Sequence, residues 1–278
     1  MAAPRASWKG FLKVAELTCP VGLYAAASSS DRIVLHTANR STGRRASRQY
    51  VDAVTGEPVE AEDQVKGYEV GKGEYVVLEP EEVAAAAPEN DKRLTVSAFV
   101  DWAEIDDVYF DRPYFLAPSD RSGDEAFALI REGLRVTNTA AIAQAVLFRR
   151  VRSLLIRPLG AGLAATSLHF DYEVRPASDA FTDVPDLKIK GEMLELAEHI
   201  IRTKQGEFDP SKFEDRYEAA LAELVKSKIE GRKIEAPKPP KRAAPSDLMA
   251  ALRESAAMSG KAAQPPARAR PHVRRKAG

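Results

Sequence analysis

The chain has 278 residues, 44% of them hydrophobic, and balances 41 Lys and Arg against 41 Asp and Glu. Such a length and apolar content suffice for a core in one large or two small domains. The lone Cys19 excludes an internal disulfide, a thiolate zinc site and a Cys-x-x-Cys redox pair.

The zero net charge hides a division. Residues 1–237 carry 31 basic against 39 acidic side chains, whereas residues 238–278 carry 10 against 2. An acidic body bearing a basic tail is attracted to a polyanion, although a basic tail also serves plain solvation. The first ten residues hold no apolar run of a signal peptide, and no stretch approaches about 18 apolar residues. The expectation is a soluble, cytoplasmic protein.

In chain order, the first half reads as short strands. Phe11 to Val21 is an apolar stretch ending at Pro20, and Ile33 to Leu35 precedes a basic turn holding Arg40, Arg44, Arg45 and Arg48. Thr55-Gly56 marks a turn between Tyr50-Val51 and Val59. Tyr75 to Leu78 is a strand, after which Pro80, Glu81 and Glu82 open a short helix, proline at its start and acids at the positive end of its dipole. Leu94 to Val100 and Tyr109 to Leu116 are strand-like in composition. Asp124 to Arg135 and Thr139 to Phe148 read as helices, and Arg150 to Ile156 and Leu163 to Val174 as strands around a Pro158–Gly162 turn.

From Lys188 onward the pattern is helical, with Met193, Leu194, Ala197, Ile200 and Ile201 on one face. Ser211 and Glu214 stand at capping-box spacing behind Pro210, and Phe213, Tyr217, Leu221 and Leu224 lay a stripe that Gly231 ends. Beyond it, residues 246–258 hold one short amphipathic pattern, with Ser246 as cap and Leu248, Met249 and Leu252 on one side. Such a segment orders on a partner or fluctuates without one. Strands first and helices last indicate α+β with a β-barrel or strongly curved sheet rather than alternating βαβ units.

No P-loop is present, and His36, His169, His199 and His272 are scattered. Asp106, Asp107 and Asp111 offer carboxylates for a metal but sit in a strand and its flanking turn, where structural acids are commoner. No catalytic constellation emerges. The positive signal is arginine: Arg149, Arg150 and Arg152 beside an apolar strand, the Arg40–Arg48 turn, and Lys9 near the start. In a strand, Arg150 and Arg152 share a face. They either pair with neighbouring acids or form a phosphate track, for which the guanidinium fork is suited.

The stretch 207–231, with its Phe-Asp-Pro, Phe-Glu-Asp-Arg-Tyr and Glu-Leu-Val elements, resembles the signature of bacterial Ku proteins. The resemblance extends over residues 5–258. Trp8 to Gly10 and Cys19 to Ala25 are similar to the family's first strands, and Val51 to Val59, Gly67 to Glu69 and Tyr75 to Leu78 to its hairpins. Ile105-Asp106 with Phe110 to Leu116, then Arg157-Pro158 with Gly160 to Leu163, are similar to barrel elements. Glu192 to Ala197 and Asp247 to Arg253 look like its arm helix and C-terminal motif. Some members carry a Cys-x-x-Cys pair near Val51 to Thr55; this chain has none, so no zinc role transfers.

The resemblance implies a Ku-core β-barrel with a long hairpin arch, two copies of which form a ring around a DNA end. It also implies a C-terminal helical arm and a disordered basic tail. The expected division is 1–185 core and arch, 186–235 arm, and 236–278 tail with a docking helix at 246–258. The expected activity is non-enzymatic: a homodimer binding double-stranded DNA ends without sequence preference and recruiting a bacterial ATP-dependent ligase for end joining, near the nucleoid. No cofactor, metal or membrane is expected. DNA contact is assigned to Arg40, Arg44, Arg45, Arg48, Arg149, Arg150, Arg152 and Lys9, and ligase docking to Asp247, Leu248, Met249, Leu252 and Arg253. The alternatives are a metal-dependent nuclease and an architectural DNA-binding protein indifferent to ends.

Overall fold

Alternation of apolar and polar residues closes a barrel from strands spread between Trp8 and Leu168. The structure, a computed structural model, describes residues 5–232; the expected tail and the docking helix 246–258 lie outside the described residues. The chain divides into two units, Met1–Asp179 and Ala180–Gly278.

Among its described residues the first unit holds nine strands: β1 Trp8–Val14, β2 Leu17–Ala25, β3 Lys66–Gly71, β4 Glu74–Leu78, β5 Arg93–Val100, β6 Phe110–Pro118, β7 Ala140–Leu147, β8 Arg150–Leu159 and β9 Gly162–Leu168. Seven close into a barrel in the order β1-β2-β6-β9-β8-β7-β5, and β3-β4 form a separate two-stranded sheet. The barrel pairs are antiparallel except β1 with β5, which run parallel with Phe11 opposite Arg93. One rim therefore gathers the starts of β1, β5, β6 and β8 and the ends of β2, β7 and β9. The expected apolar run Phe11 to Val21 is the β1–β2 hairpin, turning at Ala15 with φ +50°. Residues 33–35 form no strand, and β9 stops at Leu168, short of the expected Val174.

Inward positions make the core: Leu12, Val21, Leu23, Leu94, Leu116, Leu154, Ile156 and Leu163 are essentially inaccessible. Cys19 is buried among them, which pushes its thiol up to about 11, so it carries no thiolate at neutral pH.

One element corrects the sequence reading. Residues 140–147, expected as helix, form strand β7 between β5 and β8. The segment is alanine-rich, and alanine favours helix. But Ala141, Ala143, Ala145 and Leu147 are buried in the barrel while Gln144 between them is exposed, a period of two that only a strand satisfies.

The helices of this unit are α1 Pro80–Ala85, α2 Asp124–Thr137 and α3 Ala177–Phe181, the last lying across the division between the units. The short helix expected at Pro80 is α1, where the Glu82 carboxylate accepts the Glu79 amide. Helix α2 crosses the rim opposite the one described above and buries Phe127, Ile130 and Leu134 in the barrel's core cluster. Each such burial contributes about 1.5–3 kcal/mol. Its end is set by Asn138, which takes the left-handed conformation that often terminates helices. Gly133 lies inside α2 with open space where a Cβ would go. Gly133→Ala is therefore expected to stabilise the fold by about 0.5–1 kcal/mol, read as a higher urea midpoint at unchanged slope.

The second unit holds α4 Glu192–Lys204 and α5 Arg216–Ile229. The late helix begins later than its capping pattern suggested. Asp209 accepts hydrogen bonds from the Ser211 amide and hydroxyl at 3.1 and 2.6 Å, fixing a separate 3-10 turn at Pro210–Lys212. With Ser211 engaged, Asp215 becomes the cap of α5, accepting the Glu218 amide at 3.0 Å. Phe213 thus lies outside the helix, and the stripe shortens to Tyr217, Leu221 and Leu224.

Candidate nucleic-acid interface

Arginines collect at the first rim. On β8, Leu154 and Ile156 point into the core, so Arg152 and Arg150, two and four residues earlier, carry the same face to the mouth of the barrel. The β7–β8 turn beside them is made by Phe148 and Arg149 alone, since Leu147 pairs with Arg150. Both turn residues have positive φ, +53° and +69°. Such primed two-residue turns favour Asn-Gly, and non-glycine residues held there cost about 1–3 kcal/mol each. The turn exposes Phe148 at 60% of its surface.

The four expected rim cations are not equivalent. Arg149 and Arg150 make no ion pair among the described residues. Arg152 reaches across β9 to Asp111 on β6, Nη1 to Oδ2 at 3.5 Å, and is half-buried. The acid is itself anchored: Ser167 Oγ, fully buried, donates to Asp111 Oδ2 at 3.0 Å and accepts the Arg112 amide at 3.1 Å. That amide is freed by the irregularity in β6 between Phe110 and Pro113, so the serine completes a bulge that re-aims Arg112. Arg112 Nε lies 3.8 Å from the same carboxylate, its side chain largely exposed. Lys9 sits near the same rim but between the inward positions Trp8 and Gly10, on the outer wall of β1.

The remaining candidates lie on the segment between β2 and β5, which leaves and re-enters the barrel at this rim. Residues 37–46 fold into a narrow hairpin: the Asn39 amide donates to Arg44 O at 2.8 Å, the Ala46 amide to Thr37 O at 2.9 Å, and Gly43 turns the tip at φ +68°. Arg40, Arg44, Arg45 and Arg48 are exposed on it or just after it, and Arg45 and Arg48 share an open cleft of about 600 Å³ with His36. A second hairpin follows, tied by Asp52, whose carboxylate accepts the Val54 and Thr55 amides at 2.8 and 2.9 Å. Those bonds, Thr55 first, hold its carboxyl below the ordinary range.

Of the acids considered for a metal, Asp106 accepts the Val108 amide and Asp111 faces Ser167 and Arg152. No group of metal-ligating side chains is found among the described residues. No helix among them is long and apolar enough to cross a membrane. The docking candidates Asp247, Leu248, Met249, Leu252 and Arg253 lie outside the described residues. The sequence reading missed Arg32, Arg112 and Phe148; Phe148 directly precedes Arg149, but only the turn geometry exposes its ring.

The model of the Ku70/Ku80 beta-barrel domain matches residues 13–196. The chain belongs to the Ku family. The match runs from β1 into α4 and takes in the basic hairpin and the rim. Two relatives named "Non-homologous end joining protein Ku" are similar over nearly their full length. The one from Cereibacter sphaeroides is 59% identical over 255 residues, 91% of this chain and 96% of its own. The one from a Bradyrhizobium species is 42% identical over 277 residues, covering 99% and 95%. The expected closed barrel is thus the Ku barrel, with the arginine-rich rim at one end and α2 across the other.

Proposed function

We propose that this Ku-family chain binds double-stranded DNA ends without reading sequence, as a homodimeric ring that recruits an end-joining ligase to breaks in the chromosome. The observation that carries the reading is the gathering of Arg149, Arg150 and Arg152 at one rim of a family barrel, the rim from which the segment bearing the arginine hairpin of residues 37–46 departs. Guanidinium groups on phosphate position a protein on duplex without sequence information. The ring needs a second copy, and large apolar side chains are available to meet one: Tyr68, Val70, Tyr75 and Val77 on the β3–β4 sheet are more than half exposed. A two-stranded sheet is marginal alone, and an exposed apolar surface marks an interaction site. Ligase docking is assigned to Asp247, Leu248, Met249, Leu252 and Arg253, and the site of action to the nucleoid. The reading is of a binding protein; Asp106 and Asp111 have structural partners, which disfavours a nuclease built on them.

Topology supplies the test. A closed ring loads only where a duplex ends, whereas an architectural protein binds anywhere. Labelled linear duplex should be competed by unlabelled linear DNA but not by the same mass of covalently closed circles, with the strands intact after incubation with Mg²⁺. Equal competition by circles would show binding that ignores ends.

A further inference from the structure

We propose that Asp111 competes with DNA phosphate for Arg152 and keeps that inner arginine out of the grip, so that the mouth of the barrel holds a duplex loosely enough for it to move. The inference rests on the DNA-end reading above and separates the roles of its arginines. Arg149 and Arg150 hold the backbone, and Arg152 is kept in reserve.

An acid is out of place at this position. Asp111 lies within strand β6, where aspartate is disfavoured, and a negative charge at a rim that receives a polyanion weakens the contact. The buried hydroxyl behind it does not require a carboxylate either, since Ser167 Oγ also has the Arg112 carbonyl oxygen at 3.4 Å. What the carboxylate does is gather cations. Oδ2 takes the Ser167 hydroxyl at 3.0 Å and Arg152 Nη1 at 3.5 Å, while Oδ1 has Arg112 Nε at 3.8 Å. Because Ser167 is fully buried, the acid is tethered from behind and stays in front of Arg152.

Exposure sets the strength of the hold. The Arg152 and Asp111 side chains keep 30% and 23% of their surface. A pair this open to water is weak, so it occupies the arginine without locking it. An arriving phosphate must displace the carboxylate, and whatever it gains from Arg152 is offset by the pair it breaks and by repulsion between the two anions. Arg149 and Arg150 carry no such offset, having no ion-pair partner among the described residues. For a ring threaded on a duplex the difference matters, because every phosphate contact has to break at each step of sliding.

The full-length protein and its Asp111→Asn variant would be titrated onto blunt linear duplex by anisotropy from about 50 to 200 mM salt, each with and without Arg152→Gln. Asparagine keeps an acceptor for Ser167 and removes the charge. The released Arg152 should neutralise one more phosphate, steepening the log–log slope by about 0.9 per subunit and tightening binding about 8-fold at 0.1 M salt when extrapolated from 1 M. In the Arg152→Gln background the same substitution should leave the slope unchanged. Asp111→Thr makes the same charge change with a residue suited to strands, and should repeat the result even where the asparagine variant does not fold. Equal slopes for the wild type and the neutral variants would make Asp111 a structural partner only, and overturn the proposal. A steepening as large without Arg152 as with it would overturn it too, by showing a plain repulsive charge. Failure of the wild type to bind linear duplex at all would instead overturn the DNA-end reading.

Discussion

Replacing Arg149 and Arg150 together by alanine is expected to flatten the salt dependence of DNA binding by about 1.8 in log–log slope for each subunit on the duplex. Each neutralised phosphate contributes about 0.9 through release of condensed counterions. Extrapolated from a 1 M reference, the double substitution weakens binding about 60-fold at 0.1 M salt per subunit. A ring of two copies doubles the slope change to about 3.6, so the measurement also counts the subunits that touch DNA. Arg150 lies on the inward face at the mouth and Arg149 in the adjoining turn, and neither has an ion-pair partner among the described residues, so their charge is available to phosphate. Arg152 is left in place because its loss would strand the Asp111 carboxylate in the same mouth and confound the slope. Arg121→Ala with Arg157→Ala removes equal charge near the opposite rim and should leave the slope unchanged. Filter binding or anisotropy from 50 to 200 mM salt reads both, and an unaltered slope in the rim variant would remove these arginines from the interface.

Gly10→Ala is expected to destabilise the barrel by at least about 1–3 kcal/mol, the usual cost of overfilling a packed site. A Cβ there would lie 2.2 Å from the Lys92 carbonyl oxygen and 2.3 Å from the Trp8 ring. The ring can swing aside, but the carbonyl accepts the Phe11 amide at 2.8 Å and belongs to the seam where β5 meets β1. Backbone must therefore give way at the joint that closes the barrel. Urea unfolding monitored by circular dichroism gives the loss directly; a midpoint equal to that of the wild type would show that the seam is not a tight joint.

Much of the barrel was legible because stretches such as Leu94 to Val100 and Tyr109 to Leu116 are rich in β-branched and aromatic residues. Proline and glycine mark the α1 start and the β8–β9 turn. β7 was misread because its inward positions are alanines, whose local preference is helical; only β5 and β8 on either side decide the matter. The start of α5 was misplaced because Asp209 competes for Ser211, a contest between two local caps that spacing does not rank. At the interface, the charge of the rim was visible as a run of arginines, but the grouping of Arg32, Arg112 and Phe148 was not. Those three come from the segment after β2, from β6 and from the β7–β8 turn, and their proximity exists only once the barrel is closed.

The barrel has an odd number of staves. Directions that alternate around an odd circle must repeat once, and here the repeat falls between β1 and β5. Had that seam been antiparallel, the stretch from Ala26 to Lys92 would have had to traverse the barrel's length to rejoin it. Parity instead plants both feet of this handle on the same edge. Its span can lengthen or shrink with no stave changing register, and doubling its length costs only about 0.6 kcal/mol in closure entropy. The reach of the handle and the solidity of the barrel that bears it are thereby free to change independently.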